Sequence, residues 1–207
     1  MAGHSAEEIG QLPDLSSDYK LTEETIAAFR RDGHVLLRGV ASQEEIAAYR
    51  PRIVEAVKRH NRRNKPLAER DTYGKAFIQV GNLWLHDEGV KKFTLAKRFA
   101  RIAAELMGVP RVRLYHDQAL FKEPGGGYTP WHQDQIYWPL DTDNTITMWM
   151  PLVPVGEEMG TLSFASGTHR SGYLSREVIS EQSHKTLGQY VKGNNIPVVN
   201  YGAMAPG

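Results

Sequence analysis

The chain contains no cysteine. Disulfide frameworks, zinc-thiolate sites and thiol nucleophiles are therefore excluded, because each needs sulfur. No apolar run approaches the ~20 residues of a membrane-spanning helix. An excess of one charge is lacking too: 25 Lys and Arg stand against 24 Asp and Glu, for a formal net charge of +1. Such balance gives no broad field for nucleic acid or an anionic membrane, and neither is expected as a partner. Residues Met1 to Glu8 lack the basic start and apolar core of a secretion signal, which makes the cytoplasm the expected location. No internal repeat or low-complexity tract is present.

What is there suits one globular domain. The 207 residues are 41% hydrophobic and 24% charged, enough to bury a core. Residues 1–20 read as an irregular arm with turn signals. Thr22 is placed to cap a helix that Gly33 ends, and His34 to Val40 reads as a short apolar strand with His34 in a structural or surface role. Ser42 and Glu45 form a capping box for a long helix that Pro51 should kink or split. The basic end of that helix, Lys58 to Lys65, is expected to be a solvated helix terminus. Ala76 to Val80 reads as a strand. His86-Asp87-Glu88 reads as a helix start and not a metal site, because residues two apart on a helix face different ways. Phe99, Ile102, Ala103 and Leu106 make an apolar stripe that Gly108 stops.

From Arg111 the pattern changes to short strands and turns, with strands expected near 111–116, 145–154, 160–165 and 196–201. Helices first and strands after predict an α+β domain whose strands form a jelly roll, helical over about 1–110 and stranded over about 111–207. Gly125-Gly126-Gly127 is not a phosphate loop, since no Lys-Ser/Thr pair or helix start follows. It reads as a flexible approach to what comes next.

That next stretch, Trp131-His132-Gln133-Asp134, organises the chain. In an extended segment side chains two apart share a face, so His132 and Asp134 converge while Gln133 turns away or lies along the rim. One imidazole and one carboxylate are two thirds of the 2-His-1-carboxylate set that holds non-haem Fe(II). Around it stand Tyr115 to Pro124, the glycines, Tyr128-Thr129-Pro130, Tyr137-Trp138-Pro139, Trp149-Met150-Pro151-Leu152, Glu158-Met159-Gly160-Thr161-Leu162 and Gly167-Thr168-His169-Arg170.

In that order these motifs resemble the phytanoyl-CoA dioxygenase family of Fe(II)- and 2-oxoglutarate-dependent oxygenases, closely over about residues 75 to 171 and loosely elsewhere. The resemblance implies a cupin-like double-stranded β-helix with N-terminal helices packed on one sheet. It implies Fe(II) and 2-oxoglutarate as cofactors, with O2 and a small or lipid-like molecule as substrates. It makes His132 and Asp134 the first two iron ligands, and places Gln79, Gln118, Gln133 and Trp149 around 2-oxoglutarate. The amides of Gln118 and Gln133 are suited to donate to a carboxylate. Lys122 is expected to cover the surface. His116, His169 and His184 have no motif support as ligands.

The sequence departs from the family at one point. The family's second iron-binding His, and an Arg that pairs with 2-oxoglutarate, follow a later turn, and no such pair follows Asp134 here. The expectation is a chain that continues past Gly207, with C-terminal strands missing and the 207-residue form not turning over. Two rival readings stand beside the oxygenase: a non-catalytic jelly-roll binding module, and a jelly-roll metalloenzyme that does not use 2-oxoglutarate. The oligomeric state is not legible in the sequence.

Overall fold

Short polar residues start most of the described helices, as their chemistry dictates. In this computed structural model, which describes residues 9–63 and 65–207, the Thr22 side chain accepts from Thr25 N and opens helix α1, Glu23–Asp32. The start of the expected arm, residues 1–8, and Asn64 of the basic run lie outside the described residues. Ser42 and Glu45 form both halves of a capping box on α2, Gln43–His60. Asp71 caps α3, Thr72–Ala76, and Asp87 caps α4, Glu88–Thr94, so the His86-Asp87-Glu88 run is a helix start as read. Helix α5, Lys97–Met107, ends at Gly108 with φ 69°. One further helix, α6, spans Glu181–Gly193 behind the Ser180 cap.

Pro51 does not split α2, which runs continuously from Gln43 to His60. Pro51 and Ala47 are both exposed, so the carbonyl that loses its proline N–H partner can be hydrated. On the other side of the helix, Ile46, Tyr49, Ile53 and Val57 are buried. They meet Leu83, Val90, Phe93, Phe99, Ile102 and Leu106 in one apolar cluster. Each fully buried side chain of this kind contributes about 1.5–3 kcal/mol.

The ladders are fewer and shorter than the sequence predicts. Strand β1, Ile78–Gly81, pairs antiparallel with β2, Gln118–Phe121. Strand β3, Ser163–Ala165, pairs antiparallel with β4, Val198–Asn200. The segments 34–40, 111–116 and 145–154, expected as strands, join no ladder among the described residues. An extended segment without a backbone partner is not a strand. Their apolar side chains are nevertheless used: Val35, Leu37, Ile146, Met150 and Leu152 pack against the helical core. The architecture is thus a mixture of helix and strand, with two two-stranded sheets and no closed barrel among the described residues.

Register divides the β1–β2 ribbon into two faces. Ile78, Val80, Ala119 and Phe121 belong to the core cluster or pack against it. Gln79 and Gly81, opposite Leu120 and Gln118, make the other face.

The Gly167-Thr168-His169-Arg170 turn closes the C-terminal end of α1. Gly167 N donates to Asp32 O (2.8 Å), Arg170 to Arg31 O (2.9 Å), and His169 Nε2 lies 3.3 Å from Arg30 O. These bonds satisfy carbonyls that a helix end leaves without partners. The His169 ring packs where Gly33 lacks a side chain: a Cβ at Gly33, whose φ is 82°, would stand 2.3 Å from His169 Nδ1. Gly33→Ala therefore combines left-handed strain, about 1–2 kcal/mol, with displacement of His169. Denaturant unfolding is expected to register a loss of at least that size, and an unchanged midpoint would contradict this account of the turn. His34, next in sequence, is structural. It is buried between Tyr201 (Nδ1···Oη 2.8 Å) and Ser166 (Nε2···Oγ 2.9 Å) and stacks on Phe164.

Candidate metal centre

The approach to Trp131-His132-Gln133-Asp134 is tied down at each step. Gly127 N donates to Lys75 O (2.8 Å) and Gly126 N to Glu123 O (2.9 Å). A Cβ on Gly126 would meet those same two carbonyl oxygens at 3.0 and 2.9 Å, so the backbones approach too closely for a side chain. Lys122 lies on the surface, as expected, but its amine donates to Ala76 O and Gly127 O, both at 3.0 Å. The glycine run expected to be flexible is thus stitched to α3. Pro130, fully buried, then delivers the chain to Trp131.

Gln133 is extended, with φ −113° and ψ 126°, and Asp134 opens a short 3-10 turn through Tyr137. Across an extended residue the two flanking side chains share a side. Accordingly His132 Nε2 lies 3.2 Å from Asp134 Oδ1. His132 Nδ1 lies 2.8 Å from the Pro130 carbonyl, which can only accept, so Nδ1 carries a proton. In the neutral ring Nε2 then presents its lone pair beside the carboxylate, the tautomer a metal requires. Bonds of about 2.1 Å meeting one ion at a right angle would hold two donors about 3 Å apart. The observed pair fits a shared divalent cation, and its imidazole and carboxylate are of the kind non-haem iron takes.

The electrostatics agree with a pair built around charge. Burial opposes the positive form of His132, but the hydrogen bond and charge of Asp134, with the Pro130 carbonyl, raise its pKa above the ordinary value. Burial likewise pushes Asp134 up, and contact with His132 outweighs it, so the carboxyl sits below its ordinary range. Thr147 Oγ1, 3.4 Å from Asp134 Oδ2, and the nearby His116 act in the same direction.

A cavity of about 450 Å³ is lined by Gln79, Asn82, Tyr115, His116, Asp117 and Gln118, with Gly81 in its wall, and of these His116 acts electrostatically on Asp134. The fold thus brings Gln79 and Gln118 together on the free face of the β1–β2 ribbon. The bare Gly81 opposite Gln118 leaves the space between them. Gln79 Oε1 accepts from Tyr73 Oη, and its amide nitrogen carries the donors that remain. Asp117 is anchored as wall, with a carboxylate oxygen 3.3 Å from Trp84 N. Trp149 is half-buried on the 145–154 segment and is not among the cavity-lining residues. Gln133 is engaged elsewhere: Oε1 accepts from Leu174 N (2.8 Å) and Ser175 N (3.4 Å), and Nε2 donates to Gly172 O (2.9 Å).

Among the described residues, no third His, Cys, Asp or Glu gathers with the pair to hold a metal. His169 is on Gly33, and His184 Nδ1 accepts from Trp131 N (3.2 Å). The sequence reading missed three contributors: the Pro130 carbonyl, Thr147, and the Ser183–His184 pair of α6. Only the Ser180-x-x-Ser183 spacing, a helix-start pattern, was there to find the last.

The chain thus carries an imidazole–carboxylate pair on a mixed helix-and-strand fold. Comparison with known proteins gives its family. The phytanoyl-CoA dioxygenase (PhyH) family profile matches residues 29–200, and the chain belongs to that family. It is 24% identical over 96 residues, 46% of its length, to a probable alpha-ketoglutarate-dependent hypophosphite dioxygenase of Stutzerimonas stutzeri. It is 27% identical over 133 residues, 61% of its length, to the 1-deoxypentalenic acid 11-beta-hydroxylase of Streptomyces exfoliatus. These matches span 33% and 41% of the two relatives, well under half of each. The crystal structure of SnoK, a non-heme alpha ketoglutarate dependent carbocyclase from nogalamycin biosynthesis, superposes with a TM-score of 0.71 at 23% identity, covering 89% of this chain and 72% of that one. The chain shares that fold. No helix among the described residues is long and apolar enough to cross a membrane.

Proposed function

We propose that the protein is a non-haem Fe(II)- and 2-oxoglutarate-dependent dioxygenase that hydroxylates a small or lipid-like molecule. The observation that carries this reading is His132 Nε2 facing Asp134 Oδ1 at 3.2 Å across the extended Gln133. Iron with 2-oxoglutarate and O2 would supply oxidative decarboxylation to succinate and CO2, coupled to oxygen insertion into the substrate. The chain's own work is to hold and orient. His132 offers Nε2 because its other nitrogen is occupied at Pro130, and Asp134 offsets the cation's charge. The amide donors of Gln79 and Gln118 are assigned to the carboxylates of 2-oxoglutarate. The two short ladders and the extended, unpaired runs are read as parts of a double-stranded β-helix.

Both named relatives act on small acids or their anions, which supports a small molecule and not a macromolecule as substrate. The binding-module reading draws on the absence of a third ligand among the described residues. Succinate release separates the readings. The full-length protein given Fe(II), 2-oxoglutarate and a panel of small acids and acyl compounds is expected to release succinate, with stimulation by the true substrate. Fe(II) binding with no succinate under any condition would favour the rivals.

A further inference from the structure

We propose that residues 172–193 form a brace fixing the metal-binding segment from behind, with Gln133, Ser183 and His184 as positioning residues for His132 and Asp134. The proposal rests on the Fe(II) reading above only for its effect on metal binding. Residues 128–133 join no ladder among the described residues, so sheet hydrogen bonds do not set their direction. Side chains do so instead. Alternation along the extended segment gives His132 and Asp134 to the metal and Gln133 to the other side.

On that other side, the anchors among the described residues come from 172–193. The hydroxyl of Ser183, fully buried, lies 3.0 Å from Trp131 O and 2.9 Å from Ser180 O, its proton shared between two carbonyls. The next residue, His184, accepts from Trp131 N. Consecutive residues of α6 thus hold both backbone polar groups of the residue before His132. The residue after it, Gln133, is held by Gly172, Leu174 and Ser175. At the segment's two ends, Tyr128 Oη donates to Glu181 (2.6 Å) and Ile179 N donates to Tyr137 Oη (2.7 Å). His132 therefore sits between two pinned neighbours. Partners that bond a metal ligand directly typically change affinity ~10–100-fold when lost; these act through the residues on either side of His132, so the low end of that range is expected.

Two measurements test the brace. In the metal-free protein, hydrogen exchange at the Trp131 amide is expected to accelerate about tenfold or more in His184→Ala. His184→Asn, which keeps an acceptor, should restore most of the protection. Unchanged exchange in His184→Ala overturns the proposal, whether or not the protein proves to bind iron. In the second, anaerobic Fe(II) titration without 2-oxoglutarate is expected to weaken about tenfold in Gln133→Ala and Ser183→Ala. A Gln133 that instead contacts 2-oxoglutarate directly would leave that Fe(II) affinity intact and raise only the KM for 2-oxoglutarate, which also overturns its role in the brace. Should Ser183→Ala fail to fold, Gln133→Ala, which alters only loop contacts, still decides. Wild-type protein that binds no Fe(II) would sink the proposed function, leaving the exchange result to judge the brace.

Discussion

In a form of the protein that turns over, Asp134→Ala is expected to abolish Fe(II)-dependent conversion of 2-oxoglutarate to succinate. The carboxylate is the charged member of the pair, held below its ordinary pKa although burial pushes the other way. Removing it leaves His132 Nε2 facing a void and no anion to offset a divalent charge. The loss should exceed the ~10–100-fold carried by partners one step from a metal. Asp134→Asn keeps the shape and an oxygen within reach of Thr147 but not the charge, and should fall nearly as far. Asp134→Glu keeps the charge at a displaced position and should retain partial metal binding. A steady-state succinate assay orders the three, and undiminished turnover in Asp134→Ala would count decisively against the assignment.

The largest stability effect is expected at Arg98. Its guanidinium, with the side chain 8% exposed, reaches both oxygens of Glu45 at 2.7 and 2.9 Å. It also donates to Val40 O (2.9 Å), Ser17 O (3.2 Å) and Ser17 Oγ (2.5 Å). One side chain thus ties α5, the start of α2 and the N-terminal arm together. Arg98→Ala leaves a largely buried carboxylate without its charge partner, with only the Ser42 N bond, and carbonyls without their donor, a change that costs about 3–5 kcal/mol when a buried pair is broken. Against a total of about 5–15 kcal/mol for a typical domain, that brings the protein near its unfolding threshold.

The same pair sets a pH dependence. Arg98, chiefly by hydrogen bonding and against burial, lowers the pKa of Glu45, with help from Ser42 N. A depressed carboxyl stabilises fully above its unfolded value of about 4.3, and that contribution is lost as pH falls through the folded value. Wild-type stability should decline across that acidic window, and Arg98→Ala should show a shallower decline. Chemical unfolding across a pH series measures both.

Local chemistry was legible in the sequence, and pairing at a distance was not. Thr22, Ser42, Asp87, Gly33 and Gly108 mark helix ends by interactions within a few residues, and each does in the structure what its residue type dictates. The runs at 34–40, 111–116 and 145–154 read as strands, but a ladder needs a partner that no local pattern names, and they join none among the described residues. The site divides along the same line. That His132 and Asp134 meet follows from their spacing once Gln133 is extended, whereas an iron-binding role for them was implied only by the family resemblance. The engagement of Gln133 with 172–175, and of Trp131 with Ser183 and His184 more than fifty residues on, depends on how α6 docks. The bonds of the glycine run to Lys75 and Lys122 were hidden for the same reason, since they form only after folding.

Anaerobic calorimetric titration of Fe(II) into the wild type, His132→Ala and Asp134→Ala tests the central claim most directly. The account expects saturable binding of one ion per wild-type chain, lost or reduced by far more than tenfold in each variant, with melting temperatures of the metal-free proteins little changed. Equal, tight binding by all three would place the metal elsewhere and contradict it.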